Sequence, residues 1–439
     1  MKSYDYIIIG FGKAGKTLAG RLSSDGKNVA IIEENPKMYG GTCINIGCIP
    51  TKVLIQAAKS GDDFNQAMSK KENVTQKLRQ KNHDMLANKQ EVDLYTARAE
   101  FISDKIIKIS STNESEELTA EYIIINTGAV SNILPIPGLK ESQFTYDSTG
   151  IQNLKEQPKR LGIIGGGNIG LEFANLYATL GSSVTVFDSV DRLFGREEEE
   201  VSDLAQHYLE EQGITFELAS QIKSVQDNKD TVILITDKGE FTFDALLYAT
   251  GRKANTEKLG LENTNIKQDA RGAILVNEFC ETSVPGIFAV GDVNGGPQFT
   301  YISLDDYRIV YHYLNGNTQY SRKNRTFFPS TTFINPPLSR VGIDEKTAKE
   351  QNIDYKANRL DVAGMPRAHV NNDLRGFFKV VVDAKTHQIL GATLFGAQSE
   401  ELINLIVMAM DNNIPYTYFQ SQIFTHPTMA ENFNDLFNF

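Results

Sequence analysis

Two cysteines lie close together near the N-terminus, in the stretch GGTCINIGCIPTK at residues 40–52. Cys43 and Cys48 are five positions apart, and the 439-residue chain has one further cysteine, Cys280, which we interpret as a buried thiol without a function. Such a pair can bind a metal, form a permanent disulfide or carry out reversible thiol–disulfide chemistry. No histidine lies nearby in sequence to complete a metal site, and permanent disulfides are rare in a reducing cytosol. We therefore predict redox chemistry and no metal.

The residues that follow predict a helix that begins near the pair. The stretch NIGCIPTKVLIQAAK, residues 45–59, has the composition of such a helix. The N–H groups and the dipole at a helix N-terminus stabilise a thiolate and lower the pKa of the cysteine. We therefore expect a reactive, low-pKa thiolate in this pair.

The element that precedes the cysteines occurs twice in the chain. Residues 4–34 and 159–189 each read as an apolar strand, a G-x-G-x-x-G turn, a helical pattern and a second apolar strand that ends in an acid. The spacing from glycines to acid is the same in both copies. The matching residues are Gly10, Gly12, Gly15 and Glu33 in the first copy and Gly165, Gly167, Gly170 and Asp188 in the second.

This repeated unit has the chemistry of a dinucleotide-binding turn. Its glycines allow a tight turn, a close approach of the backbone to a pyrophosphate and close packing of the helix on the strand. The helix N-terminus presents N–H groups to the phosphates, and the acid accepts hydrogen bonds from a ribose. One glycine pattern alone is weak evidence, whereas two in a full β-α-β context predict that the chain binds two dinucleotides.

The acid of the second copy bears on the choice of nicotinamide cofactor. Asp188 would repel the 2′-phosphate of NADPH, and an NADPH site usually has an arginine just after this strand. Ser189, Val190 and Asp191 follow instead, and Arg192 comes only at the fourth position. We expect NADH to be preferred, while Arg192 leaves NADPH possible.

Composition argues against several classes of partner. The chain is 41% hydrophobic and 23% charged, with a net charge of −11 and a pI near 5.2. An acidic chain has no electrostatic reason to bind nucleic acid or an anionic membrane. We find no apolar run long enough to span a membrane and no signal-peptide pattern, so we expect a cytoplasmic protein.

The sequence changes character after about residue 322. Residues 377–396 and 400–413 carry strand and helix patterns that predict an α+β domain with an antiparallel sheet. An earlier acidic stretch, REEEEVSDLAQHYLEEQG at residues 196–213, is typical of a helix whose charged face is solvated.

These motifs together resemble the pyridine nucleotide–disulfide oxidoreductases, the flavoprotein family that includes glutathione reductase, dihydrolipoamide dehydrogenase and mercuric reductase. The resemblance covers essentially the whole chain, including the cysteine signature, both glycine units, the Thr-Gly ends of EYIIINTGA and ALLYATGRKAN, the motif GIFAVGDV and the C-terminal FTHPTMAE. It implies an α/β fold of two doubly wound, Rossmann-like domains, the second inserted in the first, plus a C-terminal α+β dimerisation domain. The implied boundaries are 1–146 and 253–322 for FAD, 147–252 for NAD(P) and 323–439 for dimerisation.

The resemblance also assigns the cofactor sites. It implies FAD at the first glycine unit and the nicotinamide cofactor at the second. The implied FAD-site residues are Gly10, Gly12, Gly15, Glu33, Thr42, Lys52, Thr127, Gly128, Gly291 and Asp292. The implied NAD(P)H-site residues are Gly165, Gly167, Asn168, Gly170, Asp188 and Gly251.

Roles for the two sulfurs follow from the same resemblance. Cys48 is similar to the sulfur that contacts the flavin as a thiolate, and Cys43 to the interchange thiol that meets the substrate. Lys52 resembles the lysine beside the flavin, and Glu172 resembles its carboxylate partner.

The C-terminal motif HPTMAE matches the acid–base pair of the family. His426 would assist proton transfer at Cys43, and Glu431 would orient the imidazole. In this family the segment reaches into the active site of the partner subunit, so the resemblance implies a homodimer with a shared site.

The chain differs from some branches of the family. It has no C-terminal cysteine pair and no N-terminal cysteine-containing metal domain, which argues against mercuric reductases, and it lacks the arginines of glutathione reductases. Residues 291–310 and 423–437 resemble most the RclA-type reactive-chlorine-resistance flavoproteins and the related bacterial hypothiocyanous acid reductases.

This branch implies an enzyme that reduces a small oxidant in oxidative-stress defence. A low-pKa Cys43 thiolate would attack hypothiocyanous acid, or a related reactive chlorine species, and Cys48 would displace thiocyanate. Three alternatives stay open, namely a dihydrolipoamide dehydrogenase, a mercuric-reductase-like or other disulfide reductase, and a flavin-bound redox sensor. We find no residue in the sequence that selects a particular oxidant.

Overall fold

The computed structural model describes residues 1–112, 114–195 and 197–439, which divide into two compact units. Unit 1 is formed by Met1–Leu134, Tyr146–Glu156 and Thr250–Asn324, and unit 2 by Pro135–Thr145, Gln157–Ala249 and Arg325–Phe439. Within the described ranges, no helix is both long enough and apolar enough to cross a bilayer.

Strands and helices are numbered along the whole chain. The strands of unit 1 are β1 (Lys2–Ile9), β2 (Val29–Glu33), β3 (Val92–Thr96), β4 (Arg98–Ser103), β5 (Ile106–Ser110), β6 (Ser115–Ile125), β7 (Ala129–Ser131), β16 (Arg252–Ala254) and β17 (Ile287–Ala289). Its helices are α1 (Lys13–Ser24), α2 (Thr42–Asn45), α3 (Cys48–Lys59), α4 (Phe64–Ala87) and α7 (Thr300–Leu314).

The remaining elements belong to unit 2, apart from β8, which spans the boundary at Thr145–Tyr146. The strands are β9 (Arg160–Ile164), β10 (Ser183–Phe187), β11 (Ile214–Glu217), β12 (Ile222–Asn228), β13 (Thr231–Thr236), β14 (Glu240–Phe243), β15 (Ala245–Tyr248), β18 (Ser330–Thr332), β19 (Leu338–Gly342), β20 (Tyr355–Asp361), β21 (Phe377–Asp383) and β22 (Ile389–Phe395). The helices are α5 (Asn168–Thr179), α6 (Glu199–Glu211), α8 (Glu345–Glu350), α9 (Pro366–Asn371), α10 (Ser399–Asp411), α11 (Thr417–Ser421) and α12 (Phe433–Leu436).

Unit 1 is built around a sheet whose central strands are parallel. The order β3-β2-β1-β6 is continued by the antiparallel strands β5 and β4, and β17 pairs in parallel with β6. Ile7 and Ile9 pack on one face of β1 and Ile8 on the other, and all three are buried. Burial of both faces is the reason that the strand is apolar without alternation.

The chain leaves this sheet after β6 and returns to it at β17. The chain segment between β6 and β17 includes the strands of the parallel sheet β11-β10-β9-β15, which belongs to unit 2. The predicted insertion of a second doubly wound fold into the first is therefore confirmed. Unit 2 also contains the five-stranded antiparallel sheet β18-β19-β22-β21-β20, which confirms the predicted α+β character of the C-terminal region.

The expectation that the acidic stretch at residues 196–213 has a solvated charged face is partly wrong. Arg196 lies outside the described residues, and α6 covers most of the rest. Glu198 and Glu200, which we predicted to be solvated, form ion pairs of 2.9 and 3.0 Å with Lys379, whose side chain is only 11% exposed. These acids are held by a cation from β21, a partner far away in sequence.

Candidate active site

Cys43 and Cys48 lie at the starts of two consecutive helices in unit 1. Cys43 is the second residue of α2 and Cys48 is the first residue of α3, and both are free thiols joined by a hydrogen bond. Gly41, just before them, has a φ of +77°, and a Cβ there would lie 2.7 Å from the Cα of Gly12. Glycine alone combines this φ with so close an approach. The redox loop, residues 40–48, therefore lies against the first glycine turn.

The two sulfurs differ in ionisation. The hydrogen bond from Cys43 lowers the pKa of Cys48 to about 6, and the Thr300 hydroxyl and the charge of Lys52 act in the same direction. Cys48 is exposed to solvent, and the partial desolvation by its neighbours opposes this shift. The Thr300 oxygen is 3.5 Å from Sγ of Cys48. The same hydrogen bond, together with burial, raises the pKa of Cys43. Our expectation of a low-pKa Cys43 is wrong, because the charge resides on the sulfur at the N-terminus of α3.

Lys52 and Glu172, the second predicted pair, belong to different units. Lys52 lies on α3 one turn after Cys48, on the same helix face. Glu172 is buried in α5, and its Oε1 accepts a hydrogen bond of 3.1 Å from the backbone N–H of Phe333. Their pairing stays a prediction.

The first glycine turn fits a bound dinucleotide. Gly12 is the N-cap of α1 and has no side chain that could cap the helix, and no acid lies in the first turn. Glu33, at the end of β2, accepts hydrogen bonds of 3.1 Å from the backbone N–H groups of Phe11 and Asn35, and burial raises its pKa. A helix N-terminus that begins at a glycine turn suits a pyrophosphate, and a carboxylate placed here suits a ribose. These residues fit the predicted FAD.

Asn126, which is not among the predicted site residues, holds this turn in place. Its Oδ1 accepts a hydrogen bond of 2.8 Å from the N–H of Gly15, and its Nδ2 donates one of 2.8 Å to the carbonyl of Val290. A Cβ on Gly12 would lie 2.5 Å from this Oδ1. Asn126 therefore explains why side chains are excluded from the turn. The signal was available, because asparagine directly precedes the first Thr-Gly motif.

The other residues of the predicted FAD site lie in the same unit. Thr42 begins α2, and Thr127 and Gly128 follow β6, where the Thr127 hydroxyl donates to the Asn255 carbonyl at 2.7 Å. Gly291 and Asp292 follow β17 in a 3₁₀ turn, Gly291–Asn294.

Two acids shape this 3₁₀ turn. Burial raises the pKa of Asp292. The positive charge of Arg252 opposes this rise, and the negative charge of Asp306 adds to it through like-charge repulsion. Asp306, on α7, is buried and accepts hydrogen bonds from the N–H of Gly291 at 2.8 Å and from Nδ2 of Asn294 at 3.1 Å. Asp306 was not among the predicted site residues, because an aspartate within a helical pattern does not indicate a role at a binding site.

The second glycine turn lies in unit 2. Gly167 is the N-cap of α5, Asn168 begins the helix, and no side chain caps it. A Cβ on Gly170 would lie 1.9 Å from the carbonyl oxygen of Gly165, which requires glycine there. Gly251, the last predicted residue of this site, is assigned to unit 1 and has a φ of +97°. Apart from Gly251, the turn fits a second dinucleotide.

The acid that follows this turn is oriented by backbone groups. Asp188 accepts hydrogen bonds of 2.6 Å from the N–H of Gly166 and 3.3 Å from that of Val190. Arg192 turns to other acids, with ion pairs of 2.9 Å to Glu199 and 3.8 Å to Asp203. Its charge is thus shared with two carboxylates.

His426 and Glu431 are brought together in unit 2. The His426 Nδ1 lies 2.7 Å from Oε2 of Glu431, while the histidine side chain is 70% exposed. The other carboxylate oxygen accepts a bond of 3.3 Å from the N–H of Thr428, and the Arg367 guanidinium donates to the Pro427 carbonyl at 3.4 Å. The imidazole is oriented by Nδ1 and presents Nε2 to the surroundings.

Two family models match the chain. Residues 4–306 match the pyridine nucleotide-disulphide oxidoreductases, and residues 328–437 match the dimerisation domain of that family. The chain belongs to the pyridine nucleotide-disulphide oxidoreductase family.

Individual relatives agree with this assignment. RclA of Escherichia coli K12, described as a probable pyridine nucleotide-disulfide oxidoreductase, is 44% identical over 438 residues, which is 100% of this chain and 99% of that protein. A mercuric reductase of Staphylococcus aureus is 33% identical over 449 residues, covering 98% and 81%. The solved Cu(II) complex of the HOCl-induced flavoprotein disulfide reductase RclA from E. coli matches with a TM-score of 0.98 and 44% identity, covering 100% and 99%. The predicted family, fold class and likeness to RclA-type proteins are confirmed.

Family membership settles the general chemistry. A pyridine nucleotide-disulphide oxidoreductase works with FAD and a pyridine nucleotide, so the predicted cofactors hold at this level. The match to a dimerisation domain supports the predicted homodimer. Among residues 1–112, 114–195 and 197–439, no three His, Cys, Asp or Glu side chains form a group that could hold a metal ion.

Proposed function

We propose that this pyridine nucleotide-disulphide oxidoreductase reduces a small electrophilic oxidant, hypothiocyanous acid or a related reactive chlorine species, in defence against oxidative stress. The observation that carries the proposal is the pair of free thiols, Cys43 and Cys48, at the starts of two consecutive helices, where the pKa of Cys48 is lowered and that of Cys43 is raised. The similarity to an E. coli reductase described as HOCl-induced adds support. A small oxidant needs one thiol to attack it and a second to release the product.

The chain's own residues perform the oxidant half of the reaction. Cys43 loses its proton and attacks the sulfur of hypothiocyanous acid, so an S–S bond forms, the S–O bond breaks, and hydroxide leaves and takes up that proton to become water. The Cys48 thiolate then attacks Sγ of Cys43, which closes the disulfide and releases thiocyanate. FAD and the nicotinamide cofactor, when bound, supply the two electrons that reopen the disulfide.

The His426–Glu431 pair would carry the proton between Cys43 and the leaving group. We propose that His426 of the partner subunit performs this transfer, since an exposed imidazole oriented by a carboxylate is suited to proton exchange. Apolar side chains in the dimerisation domain support a second subunit, because Ile423 is 91% exposed and Met408 and Tyr418 are also exposed.

We propose that the cofactor sites are those assigned from the sequence. FAD would be bound by the first glycine turn with Glu33 and Asp292, within residues 1–146 and 253–322, and NAD(P)H by the second turn, within residues 147–252. NADH would be preferred, because Glu199 and Asp203 engage Arg192, the residue that could otherwise neutralise a 2′-phosphate. The cytoplasmic location stays a prediction.

The decisive experiment is a substrate panel with purified, FAD-loaded enzyme. Initial rates with NADH or NADPH would be compared for hypothiocyanous acid, lipoamide, oxidised glutathione, Hg²⁺ and Cu²⁺. We expect the highest kcat/KM with hypothiocyanous acid and its loss in Cys43→Ser, while Cys280→Ser, a matched change at the third cysteine, retains activity.

Other outcomes would identify the alternatives. Faster turnover of lipoamide would make the protein a dihydrolipoamide dehydrogenase, and faster turnover of a metal ion would place it with the mercuric reductases. Negligible turnover of every compound would favour a redox sensor. Retained oxidant reduction in Cys43→Ser would refute the proposed chemistry.

A further inference from the structure

A buried lysine lies beside the redox loop, and the reaction described above makes no use of it. Lys16 follows the third glycine of the first turn, in α1, and is only 5% exposed. Its ammonium donates a hydrogen bond to Oδ1 of Asn82, on α4. Asn82 is itself buried, and its Nδ2 donates to the Leu78 carbonyl at 2.7 Å. The amide is thereby fixed with its oxygen toward the lysine.

Asn82 and its helix pack directly against the redox loop. A Cβ on Gly40 would lie 3.3 Å from Cγ of Asn82. Arg79, three residues earlier on the same helix, donates to Oδ1 of Asn45 at 2.8 Å, and Asn45 is the last residue of α2. The Lys16–Asn82 pair is therefore placed next to the segment that carries Cys43.

Cys43 is a nearby group whose ionised form would compensate the charge of Lys16. Burial lowers the pKa of Lys16 to about 8, and the positive charge of Lys13 acts in the same direction. Cys43 is the group that opposes this shift, through the attraction between its thiolate and the ammonium. Arg79 from α4 is engaged by Asn45, and Lys52 from α3 acts on Cys48. A buried ammonium is costly unless an anion compensates it.

We propose that Lys16 is a positioning residue of the redox pair, whose buried ammonium, oriented by Asn82, stabilises Cys43 in its thiolate form when Cys43 attacks the oxidant. Each sulfur then has a cation of its own, Lys52 for Cys48 and Lys16 for Cys43. This inference rests on the proposed role of Cys43 as the attacking thiol.

The test measures the ionisation of Cys43 directly and uses no oxidant substrate. In FAD-loaded, reduced enzyme carrying Cys48→Ser, the rate of alkylation of Cys43 by iodoacetamide would be followed by mass spectrometry across pH. We expect Lys16→Met to move the midpoint to higher pH and to slow alkylation at pH 7 by about tenfold, the effect of removing one opposite charge. Lys16→Arg should restore most of the rate. Lys13→Met, which removes an equal charge from the same helix, should change it less than about twofold.

A second variant keeps the inference testable if Lys16→Met does not fold. Asn82→Asp is nearly isosteric and places a competing carboxylate on the ammonium, so it should shift the midpoint in the same direction. The proposal would be overturned if the alkylation profile of Lys16→Met were superimposable on that of the parent. If Lys16→Met does not fold, the same comparison is made with Asn82→Asp. A loss of FAD from Lys16→Met with an unchanged Cys43 profile in the loaded fraction would instead assign Lys16 to the cofactor. If the enzyme reduces a different substrate from the proposed oxidant, these alkylation profiles are unaffected. Failure of the proposed function and failure of the proposed role of Lys16 can therefore be distinguished.

Discussion

Removal of the Thr300 hydroxyl should raise the pKa of Cys48. This hydroxyl lies 3.5 Å from Sγ and is one of the groups that hold the pKa of Cys48 near 6. A hydrogen bond to a charged group contributes roughly 1.5–3 kcal/mol, and the long distance and the solvent exposure of Cys48 place this one at or just below the low end. About 1.4 kcal/mol corresponds to one pKa unit. Thr300→Val should therefore raise the pKa of Cys48 to roughly 7, which lowers the thiolate fraction at pH 7 from about 90% to about half.

The assay is a pH titration of the long-wavelength absorbance that a thiolate beside a flavin gives on two-electron reduction. Thr300→Val should move the midpoint upward by about one unit, while Thr300→Ser, which keeps the hydroxyl, should titrate like the parent. Equal midpoints for the valine and serine variants would show that the hydroxyl does not stabilise Cys48. The assignment of the thiolate to this environment would then be wrong.

Three further predictions concern other parts of the molecule. Asn126→Leu leaves a buried N–H and a buried carbonyl without their partner, so it should lower the free energy of unfolding by roughly 2–5 kcal/mol and weaken FAD retention, measured by denaturant titration and flavin absorbance. Lys379→Met removes the cation shared by three carboxylates, of which Glu200 keeps Arg359 and Glu345 keeps Lys349, so it should lower the free energy of unfolding by roughly 1–3 kcal/mol in the same titration, whereas a change below about 0.5 kcal/mol would mean that solvent screens the cluster. The ratio of kcat/KM for NADH over NADPH should exceed about ten, and replacing Glu199 and Asp203 by their amides should reduce it by releasing Arg192; an unchanged ratio would exclude Arg192 from the choice.

Features that depend on short spacings could be predicted from the sequence, and features that depend on distant partners could not. The two glycine turns and the position of Cys48 at a helix N-terminus follow from neighbours within a few residues. The ionisation of the pair depends on Thr300, which is 252 positions from Cys48, and on which sulfur holds the shared proton. Lys16 gave no signal because a lysine in a helix is usually exposed. Its burial becomes visible only once α4 is placed against α1.

The ionisation of the pair also bears on the kind of substrate that suits it. With Cys48 charged and Cys43 protonated, the pair carries one proton, and hypothiocyanous acid releases a hydroxide that takes up one proton to become water. The oxidant half-reaction then closes without any net exchange of protons with solvent. A disulfide substrate such as lipoamide would release two thiolates that need two protons, one more than the pair holds, so an external acid would have to supply the second. A pair in which the pKa of Cys48 is lowered and that of Cys43 is raised therefore holds the one proton that reduction of the proposed small oxidant consumes.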